Sequence, residues 1–440
     1  MKVLADKKQI ILLLVMTLAA LFIFINLGRP DVIHDETIIS FRALGYIDFF
    51  AESGQTTTLD WYQRPPWWTK LSFHDHQPFG YILNYIFLNL FGTSAFVVRL
   101  VSALAGLSSV FLVYLIGRRL FGENAGLLAG FIFAINNFSL WIARIAFQES
   151  LVIALALSSL YFFLLALERK YCLILSALLL GLAFITKYTA IFILPVYLVI
   201  LLINKRSWFK TKEFYLSLIV FLIIISPVVL YNVFLFADRG HFDLQLPYLF
   251  GLTGKVAGWD NLVGKSDLSF WQRYASLPFE LTKYLSPLFL VTSLVALAYL
   301  FWLYKRDKFN ILMLVLSLVS VLLLIGLVGP QERFLTMFMP FLALAISLFF
   351  ITLFTRPKAL RFTLGFLIIF ASYEIFYSIN SLHFINSIGR PPYAYSDFVK
   401  RIRGDWGFNN LDKYLSRELA GKVPERRFAL SHPYLEEKFF

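Results

Sequence analysis

Long apolar runs dominate the pattern of this chain. Runs of about 20 mostly apolar residues recur between polar segments, and each could cross the roughly 30 Å hydrocarbon core of a bilayer as a helix. The pattern predicts eleven membrane spans, at about 10–27, 94–117, 122–140, 148–167, 171–185, 188–203, 214–236, 285–304, 309–329, 334–354 and 362–380. The expected fold is an all-α polytopic membrane protein.

The composition agrees with this interpretation. Of the 440 residues, 59% are hydrophobic and 15% are charged, and the mean hydropathy is +0.72. A soluble domain is closer to half apolar and one quarter charged. The first run, Ile10 to Leu27, is long for a signal peptide and lacks a small-residue cleavage site, so we interpret it as a span.

Basic residues predict the orientation of the chain. They concentrate in alternate, short connections: Lys2, Lys7 and Lys8; Arg118 and Arg119; Arg169 and Lys170; Lys205, Arg206, Lys210 and Lys212; Lys305, Arg306 and Lys308; Arg356, Lys358 and Arg361. The positive-inside rule places this side in the cytoplasm. The N-terminus is therefore expected inside and, after an odd number of spans, the C-terminus outside. Loop placement explains much of the +13 net charge, so we expect no nucleic-acid partner.

The opposite, outer side carries the long segments. They are a first loop at 28–93, a second at about 237–284, and a tail at 381–440 that follows the transmembrane domain, 1–380. All six histidines fall on this side: His34, His74, His76, His241, His383 and His432. Any chemistry is therefore expected on the outer (periplasmic or extracellular) face. The tail is either a small cap on the membrane surface or part of a soluble domain.

Two adjacent carboxylates, Asp35 and Glu36, follow the first span. The pattern after them predicts a short helix on the membrane surface, with Asp35 at its N-cap and Glu36 in its first turn. A helix N-terminus favours ionised carboxylates, so a cap beside a solvated Glu explains the pair as well as a catalytic role does.

A second outer cluster reads SFHDHQPFG, from Ser72 to Gly80. His74, Asp75 and His76 are residue types that bind a divalent metal such as zinc or manganese. The same residues could instead form a hydrogen-bonded turn before a helix at 81–91, with Pro78 in its first turn.

The order and spacing of several short motifs carry a family resemblance. Besides Asp35-Glu36 and the turn at His76-Gln77-Pro78, they are Leu90-Phe91-Gly92-Thr93-Ser94 with Arg99, Gly117-Arg118-Arg119-Leu120-Phe121-Gly122, Ala143-Arg144 with Glu149, Thr186-Lys187-Tyr188-Thr189-Ala190, and Glu332-Arg333-Phe334 with Pro340. Over about residues 10–355 the chain resembles the C-type polyprenyl-phosphate-dependent glycosyltransferases. Within them it is most similar to the protein O-mannosyltransferase and aminoarabinose-transferase group. Gln77 departs from the pattern, because the group usually has Pro or Lys there.

The resemblance implies a substrate class and roles for these residues. The donor would be a sugar linked to a polyprenyl phosphate, and the acceptor a hydroxyl of a protein, lipid or glycan. Asp35 would be the general base of an inverting transfer, and Glu36 would orient the acceptor, a metal or a cation. The other implied roles are phosphate binding by Lys187, Arg333 and Arg144, and acceptor or sugar binding by His76, Gln77, Arg99, Glu149 and His241.

Simpler explanations exist for the charged residues. Lys187 and Arg333 could be cations that anchor helix ends at the headgroup level. Arg144 could pair with Glu149, and Arg99 with Glu36. The competing function is a transporter or flippase for a lipid-linked glycan, which would also need cations at headgroup depth. The absence of an inverted repeat in the sequence and the long outer loops favour the enzyme.

Overall fold

The computed structural model describes residues 2–32, 35–44, 64–250, 268–303, 307–402 and 406–422. Every regular element in these ranges is a helix, and they contain no strand. The predicted all-α fold is therefore confirmed.

The described helices fall into two series in chain order. The first series is α1 (Lys2–Phe24), α2 (Asp35–Ala43), α3 (Phe79–Phe91), α4 (Ala95–Phe121), α5 (Glu123–Ile135), α6 (Asn137–Ala143), α7 (Gln148–Ala166), α8 (Cys172–Phe184), α9 (Leu194–Asn204) and α10 (Lys212–Arg239). The second series is α11 (Gln245–Phe250), α12 (Phe270–Tyr284), α13 (Pro287–Leu303), α14 (Lys308–Val328), α15 (Glu332–Leu335), α16 (Met339–Phe354), α17 (Leu360–Leu382), α18 (Asp397–Ile402) and α19 (Phe408–Glu418). Short 3₁₀ turns at Trp67–Lys70, Tyr188–Ile193, Arg206–Lys210 and Thr336–Phe338 complete the helical elements.

The predicted number of spans is not confirmed. Within the described ranges, seven helices are long and apolar enough to cross a membrane, or eight if the bent pair α5–α6 counts as one span. The predicted spans near 171–185, 188–203 and 285–304 correspond to shorter apolar helices. The prediction of a multi-span membrane protein holds, whereas the count of eleven stays a prediction.

The predicted span at 122–140 is broken at Asn136. Helices α5 and α6 meet there at an angle of 70°. The Asn136 side-chain Oδ1 accepts hydrogen bonds from the backbone N–H groups of Phe138 and Ser139, at 3.2 and 2.9 Å. Asn is a favoured N-cap because its side chain satisfies such groups. It therefore starts a second helix where the apolar pattern predicts one continuous span.

Connections predicted to share one side of the membrane meet at one end of the bundle. The backbone N of Phe79 donates to Ile185 O at 3.1 Å, and that of Leu244 donates to His74 O at 2.8 Å. The described part of the tail joins them, since Ser396 Oγ donates to Lys283 O at 2.7 Å. These contacts agree with the predicted alternation of loops. Which end faces the cytoplasm stays a prediction.

Helices α4 and α5 approach closely through two glycines. A Cβ added to Gly117 would lie 2.9 Å from Gly126 Cα, and one added to Gly126 would lie 2.5 Å from Tyr114 O. Small residues allow such contacts between membrane helices, where dispersion and weak polar contacts drive association. This contact holds α5, and hence the break at Asn136, against α4.

We expect Gly126→Ala to lower thermal stability in detergent, because its methyl group would meet backbone atoms that cannot move independently. Overpacking of this kind typically costs about 1–3 kcal/mol. The matched control is Gly365→Ala in α17, where an added Cβ has open space around it. The measurement is the unfolding midpoint of both variants beside the parent protein. Equal midpoints for the two variants would contradict the close approach of α4 and α5.

Candidate functional site

Asp35 and Glu36 begin α2 and have opposite environments. The Asp35 side chain is 43% exposed, whereas that of Glu36 is 1% exposed. Successive residues of an α-helix point about 100° apart, so the first turn can direct one carboxylate outward and its neighbour inward. The geometry therefore favours Asp35 as the carboxylate that a substrate can reach.

Glu36 forms a buried ion pair with Arg99. Arg99 Nε and Nη2 donate to its two carboxylate oxygens at 2.8 and 2.7 Å. Arg99 also donates to the carbonyl oxygens of Leu27, Pro30 and Asp31 at 2.7–2.9 Å. This network joins the end of the first span to α2 and α4. It anchors α2, and it contains the predicted Arg99–Glu36 pair. The predicted roles of Glu36 and Arg99 toward a substrate stay predictions.

Asp35 pairs with Arg333, which α15 supplies from a distant part of the sequence. Arg333 Nη1 donates to Asp35 Oδ2 at 2.8 Å. The ring of Phe334 brings a second cation close, because its centroid lies 5.6 Å from the Arg333 guanidinium carbon and 5.5 Å from Lys187 Nζ. The structure thus brings Asp35 together with two of the three predicted phosphate-binding cations, Arg333 and Lys187.

Glu149 provides the counter-ion of Lys187. The Lys187 Nζ donates to Glu149 Oε1, and both side chains are almost fully buried. Arg333 lies near enough to act on Glu149 electrostatically, and Arg333 and Asp35 are near enough to act on Lys187. The site therefore contains two cations and two carboxylates, and only the Asp35–Arg333 pair has substantial exposure.

Arg144 is engaged at the end of the first span. Its Nη1 donates to the carbonyl oxygens of Phe22 and Ile23 at 2.6 Å, and its Nη2 donates to Ile25 O at 2.8 Å. Cations satisfy the unpaired carbonyls at helix C-termini in this way. These contacts tie Arg144 to the end of α1, and its predicted role in phosphate binding stays a prediction.

The SFHDHQPFG segment forms a turn that is tied to α2. Arg42 donates to Asp75 Oδ2 at 2.7 Å and to Tyr81 Oη at 3.2 Å, and it lies 3.2 Å from His76 Nδ1. Burial alone would raise the pKa of the Asp75 carboxyl, but the charges of Arg42 and His76 hold it well below its usual range. Asp75 is therefore ionised and already paired with a cation.

The predicted metal set does not assemble in this turn. His74 directs its ring toward His241, with centroids 5.4 Å apart, while His76 stays with Asp75 and Arg42. Among the residues that the structure describes, no group of three His, Cys, Asp or Glu side chains is placed to hold a metal ion. The predicted site at His74, Asp75 and His76 is thus not supported, because Arg42 occupies the carboxylate. A metal requirement stays a prediction.

A buried cluster around Asp243 is absent from the sequence-based site. Asp243 Oδ2 accepts hydrogen bonds from Tyr188 Oη at 2.6 Å and Asn232 Nδ2 at 2.8 Å. Burial raises the pKa of Asp243 to about 6, although these hydrogen bonds act in the opposite direction. Gln77 lies fully buried beside Tyr188, so this cluster joins the second outer loop to the first. A single Asn inside the apolar run of α10 was the signal in the sequence.

The arrangement around Asp35 suits an anionic ligand next to a proton acceptor. Arg333 can direct charge-assisted hydrogen bonds at phosphate oxygens, and the buried Lys187, paired with Glu149, adds positive charge nearby. Asp35 lies beside them with an accessible carboxylate, which is what a general base requires. The site can therefore hold a phosphate leaving group and accept a proton from a nucleophile at one place.

Comparisons with known proteins bear on the fold and the family of this chain. A family model described as dolichyl-phosphate-mannose-protein mannosyltransferase matches residues 75–231. Among curated protein sequences there is no significant match. The family model, together with the fold shared by solved structures, confirms the predicted resemblance to the C-type glycosyltransferases. It also confirms the predicted enzyme class, a membrane glycosyltransferase.

Solved structures share the fold at low sequence identity. ArnT from Cupriavidus metallidurans bound to undecaprenyl phosphate superposes with a TM-score of 0.59 and 17% identity, covering 93% of this chain and 72% of that one. The archaeal oligosaccharyltransferase AglB from Archaeoglobus fulgidus, in complex with an inhibitory peptide and a dolichol-phosphate, gives a TM-score of 0.55 and 15% identity over 84% of this chain and 54% of that one.

We expect substitutions of the two adjacent carboxylates to have different effects on stability. Glu36→Gln leaves the buried Arg99 without its counter-ion, and breaking a buried pair costs on the order of 3–5 kcal/mol. Asp35→Asn breaks a partly exposed pair, for which about 0–1 kcal/mol is typical. Unfolding midpoints of both variants in one detergent measure the difference. A Glu36→Gln midpoint equal to that of Asp35→Asn would contradict the anchoring role.

Proposed function

We propose that this protein transfers a sugar from a polyprenyl-phosphate donor to a hydroxyl acceptor on the outer face of the membrane. The acceptor oxygen attacks the anomeric carbon and forms the new glycosidic bond. The bond from that carbon to the phosphate oxygen breaks, and the electron pair leaves with the polyprenyl phosphate. The hydroxyl proton passes to Asp35. A single displacement inverts the anomeric configuration.

One observation carries the proposal: Arg333 contacts Asp35 directly, at the exposed edge of a site that also contains Lys187. A phosphate held by these cations would place the anomeric carbon near Asp35. Cations aimed at the phosphate stabilise the charge that develops as the bond breaks, which is commonly a large contribution to catalysis. A phosphate is a good leaving group, so the reaction needs no strong general acid.

The comparisons support the donor class. One similar structure contains undecaprenyl phosphate and another a dolichol-phosphate, while the matched family is described by a dolichyl-phosphate-mannose donor and a protein acceptor. These properties belong to those proteins, and we extend to this chain only their shared element, a polyprenyl phosphate. The sugar that it carries follows from the family description. Protein, lipid and glycan hydroxyls are all candidate acceptors.

One observation favours the competing transporter hypothesis: the helical break between α5 and α6 at Asn136. Transporters place discontinuous helices in matched positions of two repeats and bind substrate between them. Within the described residues α5–α6 is the one bent pair among candidate spans, so a matching partner is not found there. The break also lies close in sequence to Arg144 and Glu149, near the proposed site, so it is compatible with the enzyme.

We expect Asp35→Asn to fold and to lose most transfer activity. General bases typically contribute about 10²–10⁴-fold to rate, so a loss of that size is expected. The measurement uses protein in nanodiscs with a panel of radiolabelled polyprenyl-phosphate sugars and protein, lipid and glycan acceptors. Glu168→Gln, at the opposite end of the bundle, is the matched control and should retain activity.

Near-normal turnover by Asp35→Asn would overturn the assignment of the base. Tight donor binding without turnover of any donor, in parent and variant alike, would favour the transporter. A parallel series with a chelator tests the predicted metal: loss of activity that added zinc or manganese restores would return a metal to the mechanism.

We expect Arg333→Gln to weaken binding of undecaprenyl phosphate about tenfold to a hundredfold, because hydrogen bonds to charged groups contribute about 1.5–3 kcal/mol. Binding of uncharged undecaprenol should not change, since it lacks the phosphate. Arg206→Gln, in an inner connection, serves as the control for surface charge. Equal losses for the phosphate and the alcohol would show that Arg333 supports the fold rather than the donor.

A further inference from the structure

Helix α19 has an apolar stripe that the described part of the chain leaves uncovered. Phe408, Leu411, Leu415 and Leu419 follow one another at spacings of three and four residues, which places them on one side of the helix. Their side chains are 41–56% exposed, and no residue of α19 is buried. Lys413 lies on the opposite side, so the helix is strongly amphipathic.

The carboxylate of Asp31 fixes the N-terminal end of this helix. Its Oδ2 accepts from the backbone N of Trp406 at 2.6 Å, and its Oδ1 accepts from that of Asn409 at 2.8 Å. Burial raises the pKa of Asp31, but these backbone hydrogen bonds outweigh burial and lower it. Asn409 Nδ2 adds a hydrogen bond to Arg29 O at 3.0 Å. The helix is therefore attached to the segment that leaves the first span.

This attachment sets the depth of α19. The first candidate span ends at Phe24, only seven residues before Asp31, so the attachment holds the N-terminus of α19 near the end of that span. Leu21 and Ile25, beside that edge, expose apolar side chains that lipid would cover in a membrane. The apolar stripe of α19 therefore begins next to a surface that already meets lipid.

Aromatic side chains mark the same level. Trp406 lies two residues before the start of α19 and Tyr414 lies within it, and both are more than half exposed. Trp and Tyr are enriched at membrane–water interfaces, because their rings are apolar and carry one polar group. A helix with an apolar stripe, flanking aromatics and cations on its far side is typical of a segment lying in the headgroup region.

We propose that α19 lies on the outer leaflet with its apolar stripe in the lipid. Asp31 attaches it to the segment that follows the first span. This inference does not depend on the proposed enzymatic reaction. The attachment through Asp31 has a structural consequence, because the carbonyl oxygen of Asp31 also accepts a hydrogen bond from Arg99, the partner of Glu36. The position of α19 on the membrane is thereby connected to the anchor of α2.

Spin-label accessibility tests the proposal in the full chain. Cys172 is the single cysteine and is buried, so a Cys172→Ala background allows one label at a time. Labels are placed on the apolar stripe with Leu411→Cys and Leu415→Cys, and on the opposite side with Asn410→Cys and Lys413→Cys. In nanodiscs, oxygen concentrates in lipid and a polar nickel chelate stays in water. We expect the ratio of oxygen to nickel accessibility to be several-fold higher at 411 and 415 than at 410 and 413.

Two outcomes would overturn the proposal. Equal, water-like ratios at all four positions would place the stripe in solvent, and shielding of 411 and 415 from both reagents would show that protein covers it. The attachment through Asp31 has its own test: Asp31→Ala removes the carboxylate but keeps the carbonyl that binds Arg99. A label at 411 should become more mobile in that variant, and unchanged mobility would exclude Asp31 as the attachment. If Cys172→Ala is unstable, the buried native cysteine is retained.

Discussion

The buried ion pair between Glu36 and Arg99 is the interaction on which the arrangement of the end of the bundle that carries Asp35 depends. Arg99 donates hydrogen bonds to the Glu36 carboxylate and to three backbone carbonyls. Glu36 also accepts a hydrogen bond from Ala146 N at 2.7 Å. Removing one partner of such a buried pair leaves an uncompensated charge and is strongly destabilising, so the pair holds together the segments that it joins. This arrangement brings the first residue of α2 to the surface facing α15.

Burial divides the charges of the site into two kinds. The Lys187–Glu149 and Arg99–Glu36 pairs are almost fully enclosed, and they hold helices together. The Asp35–Arg333 pair is partly open to solvent, where charges can exchange partners at low cost. An incoming phosphate could therefore bind to Arg333 without breaking the two buried ion pairs. The protein thus separates charges that maintain its shape from charges available to a ligand.

The sequence predicted the fold class and most of the residues that meet at the site, but it could not rank them. Asp35 and Glu36 are neighbours with the same chemistry, and only the direction of each side chain in the first turn of α2 separates the exposed carboxylate from the buried one. Arg144 fits a phosphate ligand by type and position. Its hydrogen bonds to backbone carbonyls at the end of α1 could not be predicted from the sequence. The break at Asn136 was hidden because the apolar pattern continues through it. The Asp243 cluster needs contacts between α10 and a loop, which no local pattern encodes.

The contacts that define this end of the bundle join distant parts of the chain. Asp35 and Arg333 are 298 residues apart, and Asp31 and Trp406 are 375 residues apart. At typical synthesis rates of about 5–20 residues per second, roughly 15–60 s pass between the appearance of Asp35 and that of Arg333. During this interval the early spans are inserted while Asp35 lacks its eventual cation. The cluster around Asp35 is thus completed late in biogenesis, and a chain that stops before α15 is built would contain Asp35 and Glu36 without Arg333.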